Sequence, residues 1–134
     1  MMKKKIILAA AIAVLAACSA NDDEKAEKLM QQIEQLYEQK QYSATLDSIE
    51  ALRNQFPKAV ESRKRALVIW NDASLQMARA DIAKTDSALL ATEELMKNET
   101  DIYKHNILGL QRDSLKARYE ALCGVVKMIL HRKK

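Results

Sequence analysis

Residues 68–96, VIWNDASLQMARADIAKTDSALLATEELM, the polar break KNETD at 97–101, and residues 102–129, IYKHNILGLQRDSLKARYEALCGVVKMI, together decide the fold. In the first stretch Val68, Leu75, Ile82, Leu89 and Met96 recur every seven residues, with Asn71, Ala78, Thr85 and Thr92 three residues after the first four. This is a heptad seam, softened by small and polar residues at its second core position. Ala66, Ala73 and Ala80 form a neighbouring small-residue stripe that permits close helix approach. Past the break, Leu108, Leu115, Leu122 and Ile129 again recur by seven, with Arg112, Tyr119 and Val126 between them. Asn98 to Asp101 are rich in cap-forming types. The pattern predicts a long helix from about Lys58 to Lys97, a turn at 98–101, and a helix from about Ile102 to His131. Two such helices on a short polar loop read as an antiparallel hairpin. The shorter helix pairs with the second half of the longer one, whose first turns cover whatever precedes it. The alternative is one continuous helix through 98–101, which needs a dimer to bury both seams.

Towards the N-terminus, Ala26, Leu29, Met30, Ile33, Leu36 and Tyr37 recur at three- and four-residue steps, predicting a helix from about Asp22 to Gln39. A turn around Lys40 to Tyr42 leads to a helix from about Ser43 to Gln55, with Leu46, Ile49, Leu52 and Phe56 on one face. Pro57, the single proline, ends that helix and suits the first turn of the next. Residues 24–57 resemble one tetratricopeptide repeat in their length of 34 residues, the turn before Tyr42, the ladder Leu46, Ile49 and Leu52, and the closing Phe56-Pro57. Lys40 stands where that repeat usually has glycine, and Thr45 and Leu52 stand where it usually has small alanines. The resemblance implies helix-turn-helix geometry only, because one copy does not build the family's peptide-binding array. The expected fold is all-α: a repeat-like pair followed by a long, coiled-coil-like helical hairpin. Composition agrees, since Ala, Leu, Glu, Lys and Arg supply about half of the 134 residues while Gly numbers 2 and Pro 1.

The chain starts Met1-Met2-Lys3-Lys4-Lys5, then runs apolar from Ile6 to Ala17 before Cys18. A cationic head and a short apolar run make a secretory signal. The run is shorter than the roughly 20 residues that span a bilayer. Leu15-Ala16-Ala17-Cys18 resembles the lipobox of bacterial lipoproteins. That resemblance implies acylation of Cys18, palmitate among its chains, and cleavage before it, so that residues 1–17 are the signal peptide and 18–23 a short tether. An ordinary signal peptide with an incidental cysteine is the alternative. Ser19 follows the cysteine in place of the Asp that retains such proteins at the inner membrane, so the outer membrane is favoured. The cluster Asn21-Asp22-Asp23-Glu24 looks like the export signal of surface lipoproteins in Bacteroidetes-type bacteria, which favours the cell surface over the periplasmic face. Helix chemistry explains the same residues, with Asn21 as N-cap and Glu24 as its capping-box partner.

Cleavage changes the charge. Of 22 basic residues, Lys3, Lys4 and Lys5 leave with the signal, and 19 then face 18 acids. The pI of 9.1 is therefore no sign of nucleic-acid binding. Residues 22–57 keep 4 basic and 8 acidic residues, and residues 104–134 keep 8 basic and 2 acidic, ending in His131-Arg132-Lys133-Lys134. A basic C-terminal end suits an anionic surface, although a helix dipole also favours cations there.

No residue set carries catalysis. Carboxylates interleave with Lys and Arg on amphipathic faces, His105 and His131 lack neighbours at ligand spacing, and no phosphate loop or serine elbow is present. The expectation is a non-enzyme without metal or cofactor. Cys123 reads as a small buried hydrophobe or, in an oxidising envelope, as a disulfide between two copies. Arg63-Lys64-Arg65 reads as a solvated face, and Trp70 as the anchor between the repeat-like pair (24–57) and the hairpin (58–134), with partner contact as its alternative. The expected role is a lipid-anchored, non-catalytic adaptor or accessory subunit of an outer-membrane complex, meeting another envelope protein; a homo-oligomer is compatible with it. The alternatives are a spacer tied to peptidoglycan through Lys134, and a small-ligand carrier using helices one to three.

Overall fold

The computed structural model describes residues 21–134. The lipobox Leu15, Ala16, Ala17 and the lipidation candidate Cys18 lie outside the described residues. Four helices make up the described chain: α1 (residues 21–38), α2 (Tyr42–Gln55), α3 (Val60–Asn98) and α4 (Ile102–Arg132). The chain divides into two compact units, one ending at Ala73 and one spanning Ser74–Lys134. The boundary falls inside α3.

In the first unit α1, α2 and the start of α3 close an apolar core. Ala26, Met30, Ile33, Ile49, Leu52, Ala59 and Ala66 are fully buried, with Leu29, Phe56, Ile69 and Trp70 packed against them. Each large apolar side chain so buried contributes about 1.5–3 kcal/mol. The turn after α1 is a Schellman motif: Gln41 N–H donates to the Leu36 carbonyl, and Lys40 N–H to the Tyr37 carbonyl. This motif needs a left-handed residue, and Lys40 supplies it at φ 59°. The expected turn glycine is thus replaced, but its conformation is kept. Thr45, at the other unusual position, is fully buried and returns its hydroxyl to the Gln41 carbonyl at 2.7 Å. Such local back-bonding lets a hydroxyl enter an apolar core. Leu46 is only half-buried, so Thr45, Ile49 and Leu52 form the inner face of α2.

Pro57 lies in the turn between α2 and α3 and not, as the sequence suggested, in the first turn of α3. Helix α3 starts three residues later, at Val60, and the Pro57 carbonyl accepts from the Arg63 side chain at 2.7 Å.

The second unit is a hairpin, in which α3 from Ser74 onward packs against α4. The connection is the expected turn, and the continuous helix is excluded: residues 99–101 are non-helical, and Asp101 caps α4 by accepting from Lys104 N–H at 2.9 Å. Leu75, Ala78, Thr85 and Thr92 of α3 are buried, as is Ile129 of α4, while Ile82, Leu89, Met96, Leu108, Leu115 and Leu122 are half-buried.

The predicted α3 seam needs correction at its start. Val68 is 69% exposed and Ala80 is exposed, whereas Ala66 and Ala73 are fully buried. Through the first unit the buried register is Ala59, Ser62, Ala66 and Ala73; in the second it is Leu75, Ala78, Thr85 and Thr92. Each unit thus sets its own buried register on its part of α3. A seam extrapolated backwards from Leu75 therefore misassigns Val68, and a stripe extrapolated forwards from Ala66 misassigns Ala80.

Candidate protein-interaction surface

The residues singled out in the sequence fall into different places. Asn21 is already helical, so it does not cap α1. Asp23 plays a structural part, because its carboxylate accepts from the N–H of Ser62 at 2.9 Å and of Glu61 at 3.4 Å. Helix α3 begins after Ala59, whose methyl group cannot cap, and the first turn of a helix leaves N–H groups without partners. Asp23 meets that need from α1 and places a negative charge where the helix dipole favours it. Burial by itself raises the Asp23 carboxyl, but hydrogen bonds from Ser62 and Glu61 outweigh it and leave the group below the ordinary carboxylate range. Asp22 is half-buried and Glu24 exposed.

Two polar ties in the first unit were not visible in the sequence. The Tyr37 hydroxyl donates to the Asp72 carboxylate, joining α1 to α3. That bond, with burial and the Asp72 charge, pushes the phenol up to about 12. Arg65 spans α1 from α3, reaching Glu27 at 2.9 Å and Glu34 at 2.6 Å. Its neighbours Arg63 and Lys64 are exposed and satisfied locally, by the Pro57 carbonyl and by Glu61, so only Arg65 of the basic run ties α3 to another helix. The Arg53 guanidinium lies 4.6 Å from the ring centroid of Trp70, which is packed on the first unit's core.

The second unit holds the larger concentration of uncovered apolar surface. Leu90 and Leu95 are each 60% exposed on α3, and Ile102 and Tyr103 are 80% and 74% exposed on α4. Leu95, Tyr103 and Ile107, with Glu99 and Lys104 at the rim, border a shallow cavity of about 370 Å³. Contiguous apolar surface with a polar rim is the signature of a protein contact. The heptad spacing placed Leu108, Leu115, Leu122 and Ile129 correctly on the inner face of α4, but gave no prominence to this outer one. Its signal was present as a further set of three- and four-residue steps starting at Tyr103.

Cys123 is a half-buried free thiol on α4. His105 and His131 are exposed. Among the described residues no group of His, Cys, Asp and Glu could hold a metal ion, and no helix is long and apolar enough to cross a membrane. Set against known proteins, the chain matches no family model, no curated protein and no solved structure.

Proposed function

We propose that this chain is a lipid-anchored, non-catalytic adaptor of a bacterial outer membrane, held by acylated Cys18 and docking another envelope protein through the apolar end of its hairpin. The observation that carries the docking half is the exposure of Leu95, Tyr103 and Ile102, the first two of which line the shallow cavity. The anchoring half rests on the cationic head, the apolar run and Leu15-Ala16-Ala17-Cys18. Several acyl chains on one residue exceed the two signals that stable anchoring requires. Residues 24–57, read as a repeat-like helix pair, serve as the packed base of α3.

Metabolic labelling with a palmitate analogue tests the anchor: the wild-type chain takes up label and Cys18→Ala does not. Pull-down of the tagged chain from detergent extracts tests docking. A stoichiometric partner lost on Tyr103→Glu supports the reading, and its absence sinks it. For surface display, Asp22→Asn with Glu24→Gln is the informative variant, because Asp23 also caps α3. A spacer role, through the exposed His131-Arg132-Lys133-Lys134 end, predicts muramidase-released peptides carrying Lys134.

A further inference from the structure

We infer that the outer face of α4 is a self-association seam, along which two copies of this chain pair in parallel. Ile107, Leu110, Ala117, Ala121, Gly124 and Met128 stand on this face, and Ser114 completes their alternating steps of three and four residues. None is charged. All but Gly124 are exposed, Leu110 at 68% and Met128 at 56%. This spacing keeps one face of a helix against a partner helix over about three heptads. The inner seam of α4 is already occupied by α3, so the outer one repeats the same device without an occupant among the described residues.

Gly124 points the same way independently. Glycine in a helix interior is unfavourable relative to alanine. A Cβ built on Gly124 would meet nothing within 4 Å, so the single chain gives no packing reason for its absence. A second helix approaching closely at that seam position supplies one. Gly109 lies towards α3, where a Cβ would make an ordinary contact with the Met96 side chain at 3.8 Å.

The flanking charges choose both partner and orientation. In a parallel pair, a residue preceding the seam on one helix meets the residue five further along on the other. Asp113 then faces Arg118 of the second copy, twice by symmetry, and Asn106 faces Gln111. Asp113 also binds Arg112 of its own helix at 2.8 Å, yet its side chain is 63% exposed and can accept again. Glu120 meets the uncharged Val125, and the unfavourable pair, Lys127 with Arg132, falls in the last turn of α4. An antiparallel pair centred on Ala117 and Ala121 brings Arg118 against Arg118 and Glu120 against Glu120. Cys123 precedes Gly124 by one residue, about 100° away from the seam. The paired state therefore holds the two copies of Cys123 apart.

Single cysteines test the seam in the full chain carrying Cys18→Ser and Cys123→Ser. Ala117→Cys should form at least tenfold more disulfide-linked dimer under mild oxidation than the exposed Ser87→Cys on α3. Adding Ile107→Glu and Leu110→Glu should reduce that dimer to the Ser87→Cys level, with helical content by circular dichroism unchanged. Equal crosslinking at the two sites overturns the seam, as does crosslinking at Ala117→Cys that survives the two glutamates. Preferential pairing of Ala117→Cys chains with Ala121→Cys chains overturns the parallel orientation.

Discussion

Residues 21–73 bury Met30, Ile33, Ile49 and Leu52 completely, whereas among residues 74–134 only Leu75, Ala78, Thr85, Thr92 and Ile129 fall in the buried class. The difference follows from helix number. Three elements meeting round one core can each hide a broad stripe, but two helices shield each other along one line only. The first unit therefore commits most of its apolar residues to stability, with Val60, Leu67 and Val68 of α3 left outside its core. The second leaves Leu90, Leu95, Tyr103 and Leu110 facing water, where they are available to other chains.

Core truncation should separate the units most sharply. Leu52→Ala or Ile49→Ala, at fully buried positions, should lower stability by about 2–5 kcal/mol. Leu115→Ala, at a half-buried one, should cost about 1–2 kcal/mol, because fewer neighbours lose contact and water relieves the void. Urea unfolding curves of the three variants measure the ratio; equal losses would erase the distinction drawn between the units.

The Tyr37–Asp72 tie gives the first unit an alkaline limit. A free phenol titrates near 10, and Tyr37 is pushed up to about 12 by its bond to Asp72. Its contribution is thus complete below pH 10 and disappears as the pH rises from there towards 12. Tyr37→Phe should cost about 1 kcal/mol at neutral pH and remove that alkaline dependence. At the acid end Asp23 acts with the opposite sign. Held low by Ser62 and Glu61, it stabilises above the ordinary carboxylate range and ceases to do so as the pH falls through its depressed value. Melting temperatures of Asp23→Asn against wild type between pH 2 and 6 follow this, with the gap closing at the acid end.

The smallest effects are gains. Lys40→Gly should stabilise by about 0.5–1 kcal/mol, since a left-handed residue costs glycine little. Gly124→Ala should add about 1 kcal/mol to an unpaired hairpin, by helix propensity.

Much of the fold was legible because periodicity reports burial directly. The inner α4 stripe and the packed residues Met30, Ile33, Ile49 and Leu52 follow from three- and four-residue spacing, and the turn around 98–101 follows from its cap-forming residues. The register change in α3 was not legible, because Val68 and Ala66 are both apolar and only the elements around them decide which faces inward. Asp23 reads in sequence as a signal or a dipole charge, since its cap on α3 joins residues 39 apart. The outer α4 face was hidden for a different reason: one seam satisfied the hairpin, and the small residues Ala117, Ala121 and Gly124 give the outer stripe the character of filler.

Peptide-resolved hydrogen exchange on the Ile107→Glu, Leu110→Glu chain, in which the outer α4 seam is broken, tests the division of labour most directly. Backbone amides in α1, α2 and the α3 segment up to Ala73 should exchange at least tenfold more slowly than those of residues 78–92 and 108–126. Equal protection across the two units would contradict it.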